Sequence, residues 1–457
     1  MRGRPGAGRP AGTQHLPVTP TRGPDQPFYR LAVSAFVVLA AEPTFVLVDT
    51  AVVGHLGASA LAGLGIGGTL MSLVALIGAF LDYGTTARSA RWFGAGDRPA
   101  AVDEGITATV LALVLGVAAA ATGELLGAPL LHLLAGSNQA AYRSGLTWFR
   151  VAVLGLPGIL VVLAGNGWMR GVQDTRRPVR IVVAANAVSA VASPLLVYPV
   201  GLGLVGSAVA NLVAQAGGGA LFVVALHAER RGWRTTWARV RAQLLVGRDL
   251  LLREVGFQAA FLCAAGVATR MGTAQIAAHQ IGFQLWTLTA LLLDSLAIAA
   301  QSLVGSALGG GDGALARRTA GRVARLGLWS GLGTGALLAA GWAVVPLAFT
   351  SSGAVRHQVH LLWPFLAGMQ PAAGVLFALD GVLIGAGDVA FMRSLTLASA
   401  VGVFVPVSLA ALHWHWGIVG VWAGLTGFIL ARLVGMAART AGGRWVVTGS
   451  SRPPGRS

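Results

Sequence analysis

The sequence predicts an all-α integral membrane protein with twelve transmembrane helices in two parallel-repeat six-helix lobes. Its composition is the first reason: 55% of the 457 residues are hydrophobic and 11% are charged, whereas soluble domains carry about 25% charged residues. Mean hydropathy is correspondingly high, at +0.71. Apolar runs long enough to cross a bilayer, about 20 residues each, are the second reason. A repeat that relates the first six runs to the last six is the third.

The apolar runs follow one another along almost the whole chain. Small residues, with 65 glycines among them, let membrane helices approach closely and favour a packed bundle. The predicted spans are 31–54, 61–87, 105–134, 143–169, 178–199, 202–228, 251–270, 276–307, 322–349, 358–384, 391–412 and 417–438.

The repeat is visible in short motifs that recur in the same order. GAGD at 94–97 recurs as GGGD at 309–312, and GLVG at 203–206 recurs as GIVG at 417–420. Pro157 and Asp174 have counterparts in Pro371 and Asp388. Because each repeat holds an even number of spans, both copies keep the same orientation and are parallel.

Charge sets the predicted topology. The net charge of +17 would suggest nucleic acid binding in a soluble protein, but here the arginines cluster in alternate loops, so we expect no nucleic acid partner. The opposite loops hold only Arg143, Arg270 and Arg356. By the positive-inside rule both termini are cytoplasmic, and we predict a multi-pass protein of a bacterial inner (plasma) membrane.

The predicted organisation is a disordered cytoplasmic tail (1–28), an N-lobe (29–228), a cytoplasmic linker (229–250), a C-lobe (251–440) and a cytoplasmic tail (441–457).

The first span carries the main functional candidate. Asp49 lies in an otherwise apolar run, where an ionised carboxylate costs about 2.5–3.5 kcal/mol, so such a residue is usually functional. Pro43 removes a backbone donor and should bend the helix close to it. Glu42, seven residues before Asp49, shares roughly the same face. We predict proton coupling by Asp49 and Glu42, with the helix bend at Pro43; the alternative is a structural aspartate bonded to a neighbouring helix.

Further polar residues in the spans are candidates for a substrate cavity between the lobes. They are Asp294, Asp380, Gln280, Gln284 and Asn186. Such groups also hold helices together by hydrogen bonds, and that alternative stays open. His413 and His415 fit an aromatic belt better than a metal site. We predict no metal, no cofactor and no catalytic residues, and hence no enzyme.

Four segments together resemble one known family. They are DTAVVGHLG at 49–57, RGVQDTRRP at 170–178, ATRMGTAQIAAHQ at 268–280 and LLLDSLAIAAQSLVGSALGGGD at 291–312. With the twelve-span parallel duplication, they are similar to the multidrug and toxic compound extrusion (MATE) family, and most of all to its DinF-like branch.

The resemblance implies a V-shaped transporter with a central cavity that exports organic, often cationic or amphipathic compounds, driven by H⁺ or Na⁺. It implies that Asp49 is the coupling aspartate of the first helix and that Asp380 matches an acid that some branches use. Where the family often has Asn and, four residues later, Asp, this chain has Ser189 and Ser193. One carboxylate fits a proton better than Na⁺.

We therefore predict a monomeric, H⁺-coupled antiporter of small organic compounds in the lipid bilayer that works by alternating access. A Na⁺-coupled exporter is one alternative. Another is a lipid-linked oligosaccharide flippase, which should line its cavity with many basic residues; only Arg150 and Arg270 are predicted to be cavity cations. A non-transporting membrane sensor or scaffold is the alternative of a different class.

Overall fold

The computed structural model describes residues 26–229, 232–233 and 235–450. Within these residues the chain forms sixteen α-helices and no β-strand. The helices are α1 (Gln26–Gly54), α2 (Ala58–Gly94), α3 (Arg98–Ala135), α4 (Gln139–Ala152), α5 (Leu156–Gly171), α6 (Arg176–Val197), α7 (Leu204–Glu229), α8 (Trp237–Met271), α9 (Thr273–Gly309), α10 (Gly313–Gly341), α11 (Val345–Phe349), α12 (Gly353–Gly368), α13 (Gln370–Gly385), α14 (Val389–Ser399), α15 (Val405–His413) and α16 (Gly417–Ala441).

The helices combine into twelve spans, as predicted. Eleven helical segments among the described residues are long and apolar enough to cross a membrane, and α12 with α13, bent by 48°, makes the twelfth. The fourth span joins α4 to α5 through a 3₁₀ turn, and the eleventh joins α14 to α15 through a π-helical turn. The N-lobe comprises α1–α7 and the C-lobe α8–α16.

The recurring motifs have a structural explanation. Asp97 and Asp312 cap α3 and α10, and each side chain accepts a hydrogen bond from a backbone N–H of its helix, at 2.9 Å and 2.7 Å. Pro157 and Pro371 lie in the first turn of α5 and α13, where a proline is tolerated. The fourth and tenth spans are therefore each divided into two helices, and in each the second helix has a proline in its first turn.

Three predicted boundaries differ from the structure. α8 begins at Trp237, so residues 237–250 of the predicted linker are helical and the connection between the lobes is shorter. Residues 26–28 of the predicted N-terminal tail belong to α1, while 1–25 lie outside the described residues. In the predicted C-terminal tail, 442–450 are packed and 451–457 lie outside the described residues.

The two lobes meet closely at the end of the bundle where α1 begins and α2, α9 and α16 end; we call this the arginine-rich end. A Cβ atom added to Gly94 would lie 1.9 Å from the carbonyl oxygen of Ser306, and one added to Gly309 would lie 1.9 Å from that of Arg91. Backbone therefore packs directly on backbone between α2 and α9, which only glycine permits.

A short segment after α16 crosses this closed end. Arg91 of the N-lobe donates to the carbonyls of Ala386, Val447 and Gly449, at 2.8–3.1 Å. Trp445 anchors the segment, since it is 1% exposed. Residues 442–450 thus join the two lobes at the arginine-rich end.

Candidate functional site

Asp49 lies inside the N-lobe, on the half of α1 away from the arginine-rich end, and is 3% exposed. Ser193 of α6 donates to its Oδ1 and Ser207 of α7 to its Oδ2, both at 2.7 Å. Ser207 in turn accepts a hydrogen bond from the indole of Trp148, at 3.2 Å. The carboxylate thus ties three spans together through neutral hydroxyl groups, and no ion pair to it occurs among the described residues.

The neighbouring turn of α6 lines a small cavity beside this site. Ser189, one turn before Ser193, is buried and its Oγ has no partner among the described residues. Asn186 and Gln215 line the same cavity, and Asn186 donates to the carbonyl of Val182 at 2.9 Å. The volume of about 20 Å³ suffices for roughly one water molecule. Asn186 therefore lies in the N-lobe interior, away from the space between the lobes.

Glu42 and Asp49 do not share an environment, although both lie on α1. Glu42 is exposed and Asp49 is buried. The helix is continuous through Pro43, which removes the donor for the carbonyl four residues earlier. Thr44 donates to the carbonyl of Ala40 at 2.7 Å, a bond that often accompanies helix bending.

The second half of α9 contacts α2 of the N-lobe. Asp294 accepts a hydrogen bond from the hydroxyl of Tyr83 in α2, at 2.8 Å, and Gln301, two turns further along, donates to the Tyr83 carbonyl. Gln280 and Gln284 lie on the same face by helical spacing, but they are exposed. Gln280 and Gln284 thus have exposed side chains on the face of α9 that carries Asp294, and their place in the predicted cleft between the lobes stays a prediction.

A buried ion pair lies close to the Tyr83–Asp294 contact, in the N-lobe. Arg170 of α5 donates to Asp82 of α2 at 2.5 Å, and both residues are buried. Asp82 directly precedes Tyr83, so the pair and the Tyr83–Asp294 contact form one polar layer.

Asp380 does not line the predicted cleft as a free carboxylate. It is 5% exposed and accepts from Arg432 of α16, whose Nη2 lies 3.2 Å from both carboxylate oxygens. Arg253 of α8 lies 3.4 Å from the Oδ1 of Asp380. The same guanidinium also pairs with Glu254, at 3.5 Å. Asp380 is therefore the centre of an ion-pair cluster inside the C-lobe.

Three arginines near the lobe interiors were not among the predicted cavity cations. Arg150 and Arg270 are exposed, whereas Arg170, Arg253 and Arg432 are the cations near the lobe interiors. Each of these three is paired with a carboxylate. A signal was present, since Arg432 falls within a predicted span and an intramembrane arginine calls for a partner.

The described residues hold no group of three or more His, Cys, Asp or Glu side chains that could bind a metal. What they do hold is a polar contact between two membrane lobes, Tyr83 with Asp294, and a buried carboxylate, Asp49, on a helix that packs against both lobes. The fold and the site together define a membrane transporter of the two-lobe type.

The chain belongs to the MatE family, whose model matches residues 35–196 and 252–409. These two ranges are the two repeats, so the predicted family is confirmed. The chain is therefore a MATE-family multidrug and toxic compound transporter and not an enzyme.

Curated relatives agree with this family, and a solved structure agrees with the fold. The chain is 31% identical over 436 residues to Protein DETOXIFICATION 44, chloroplastic, of Arabidopsis thaliana, covering 91% of this chain and 82% of the relative. It is 29% identical over 439 residues to the DNA damage-inducible protein F of Escherichia coli (strain K12), covering 91% of both. A crystal structure of MATE in the bent conformation superposes with a TM-score of 0.85 at 21% identity, covering 92% of this chain and 96% of the other.

Proposed function

We propose that this transporter is an H⁺-coupled antiporter of small organic, cationic or amphipathic compounds, with Asp49 as the coupling carboxylate. The observation that carries the proposal is the setting of Asp49: buried on an interlobe helix and held by two neutral hydroxyls, Ser193 and Ser207. A carboxyl group in such a setting can gain or lose a proton without breaking an ion pair.

Protonation would change the contacts between three spans. As a carboxylate, Asp49 accepts from Ser193 and Ser207 at once. As a carboxylic acid it also carries a donor, which needs an acceptor. At least one hydroxyl must then reorient, so the contact of α1 with α6 or α7 depends on the proton. Two packings biased by one proton suffice for exchange against substrate.

Coupling to Na⁺ would need a different set of ligands. Hard cations prefer several oxygen ligands with carboxylates among them. The side-chain oxygens bonded to Asp49 are the hydroxyls of Ser193 and Ser207, and no second carboxylate contacts it among the described residues. This donor set favours a proton, and we propose H⁺ as the coupling ion.

The charges near the cleft favour export of an organic compound over flipping of a lipid-linked oligosaccharide. A flippase of that kind needs free cations to hold a pyrophosphate, and Arg170, Arg253 and Arg432 are each paired with a carboxylate. The predicted cleft face with Gln280, Gln284 and the Asp294 carboxylate fits a cationic or amphipathic organic compound better. Orientation with both termini in the cytoplasm, suggested by the arginine distribution, stays part of this proposal.

The test is Asp49→Asn, which mimics the protonated form permanently. The variant should insert and bind substrate, but purified protein should release no proton on substrate addition. Proteoliposomes should take up no fluorescent cation under an imposed pH gradient. Glu42→Gln on the same helix is the matched control and should keep most of the proton release.

Two results would contradict the proposal. One is substrate-induced proton release of normal size from a correctly folded Asp49→Asn variant. The other is uptake by the unmodified protein that follows an imposed Na⁺ gradient and ignores the pH gradient.

A further inference from the structure

A groove between α1 and α6 opens on the protein surface at the arginine-rich end. Its volume is about 590 Å³, within the range of ligand pockets. Tyr29, Val33 and Val37, at successive turns of α1, form one wall, and Val179 belongs to the other. Ser34 donates to the carbonyl of Thr175 at 2.9 Å, so a hydrogen bond joins the two walls.

Three arginines line this groove: Arg30 on α1, and Arg176 and Arg180 one turn apart on α6. Among the residues that the structure describes, no carboxylate lines the groove and none of the three arginines is in an ion pair. Their neighbour Arg177 is different, because it pairs with Asp174 and Glu229 at 3.3 Å and 2.9 Å.

The corresponding place in the other lobe is built differently. There α8 packs against α14, as α1 packs against α6. Arg393 of α14 donates to Asp249 of α8 at 2.6 Å, and Arg248 also contacts this carboxylate, at 2.9 Å. Asp249 thus neutralises both arginines at this place in the C-lobe, whereas the N-lobe groove combines three arginines that have no ion pair among the described residues with an apolar trough.

We propose that this groove binds an anionic phospholipid. Guanidinium groups match phosphate geometry, and basic pockets between transmembrane helices are a known form of anionic lipid recognition. The arginines stand where the first and fifth spans begin, and the apolar stripe of Val33 and Val37 runs from them into the first span. Headgroup and acyl chain therefore each have a complementary surface, whereas a free phosphate would use only the arginines.

The site has a consequence for transport. α1 carries Asp49, and α6 carries Ser193, which bonds to it. A lipid bound to both helices would stabilise their contact at the arginine-rich end. The contact between Asp49 and Ser193, which we propose depends on the proton, lies towards the opposite end of the same two helices. Transport by the reconstituted protein should therefore rise with the content of anionic lipid.

The test compares phosphatidylglycerol with phosphatidylcholine on the full-length protein by native mass spectrometry from mixed micelles. The unmodified protein should retain one phosphatidylglycerol in preference to phosphatidylcholine. Arg176→Gln/Arg180→Gln should weaken that retention roughly thirtyfold, because each basic residue near an anionic headgroup contributes about fivefold. Arg318→Gln/Arg325→Gln removes the same charge from exposed positions of α10 and should leave the retention unchanged.

A second variant separates the trough from the charges. Val33→Trp keeps all three arginines but fills the groove, and it should also reduce the retention of phosphatidylglycerol. The proposal is overturned if the unmodified protein holds the two lipids equally, or if both arginine double variants behave alike. Displacement of the lipid by millimolar inorganic phosphate, with no effect of Val33→Trp, would overturn the assignment to a lipid in favour of a phosphate site.

Discussion

Substitution of Asp380 by Asn should destabilise the protein rather than change its substrate preference. Asp380 is buried, and its two oxygens are the only carboxylate oxygens among the described residues that pair with Arg432, itself 1% exposed. The rings of Phe257 and Phe428 also lie close to this guanidinium, with centroids 5.2 Å and 5.7 Å away.

The size of the effect follows from that geometry. Removing one partner of a buried ion pair costs about 3–5 kcal/mol, because the other charge is left without compensation. Arg253 adds less to this cost, because it keeps Glu254 at 3.5 Å when its 3.4 Å contact with Asp380 is lost. We expect a loss of about 3–5 kcal/mol in the free energy of unfolding, mostly through Arg432.

The assay is denaturant unfolding of the purified protein in mild detergent, followed by tryptophan fluorescence, together with transport by refolded protein. A double variant, Asp380→Asn/Arg432→Gln, removes both charges and should recover a large part of the stability. Asp174→Asn, at a half-exposed pair, is the control for loss of a surface contact. An Asp380→Asn protein of unchanged stability that no longer transports would refute the reasoning and make Asp380 a substrate ligand.

Three further predictions concern the cleft, the closed end and the topology. Asp294→Asn should raise the KM for cationic substrates more than for neutral ones, because a charge in the predicted cleft is lost; equal losses in transport assays would make the residue structural. Gly309→Val should hold the arginine-rich end apart, since its side chain would meet a backbone carbonyl; amide hydrogen exchange of residues 442–450 should then be faster, and unchanged exchange would contradict this. With Cys263 replaced by Ala, a cysteine at Ser59 should react with an impermeant thiol reagent on intact cells and one at Ser451 should not, and equal labelling would contradict the topology.

The spans could be predicted because a membrane helix must be apolar along its whole length. The start of α8 could not be predicted in the same way. Beyond the membrane boundary the helix continues through polar residues that are fixed by tertiary contacts: Arg239 pairs with Asp103 at 2.7 Å, and Gln243 donates to Thr85 at 3.0 Å. The apolar run therefore marks only the apolar part of α8, whereas tertiary contacts of polar residues extend the helix beyond it.

The sequence predicts those candidate residues whose burial in a membrane span costs free energy by itself. Asp49 and Asp294 stand out because an acid in an apolar run is expensive. Their partners do not stand out: Ser193 and Tyr83 are ordinary residues in distant segments, and the pairing exists only after the helices pack. Arg253 and Arg432 were missed because arginine was interpreted as a signal of orientation.

Asp49 of the N-lobe and Asp380 of the C-lobe are both buried acids, but they have different kinds of partner. Asp49 is held by the neutral hydroxyls of Ser193 and Ser207, which can reorient when the carboxylate gains a proton. Asp380 is held by the cations Arg432 and Arg253, and its protonation would leave both without part of their counter-charge. A proton can therefore exchange at the N-lobe acid without disturbing the packing of the C-lobe. This difference in partners supports the proposal that the proton couples through one lobe of a duplicated fold.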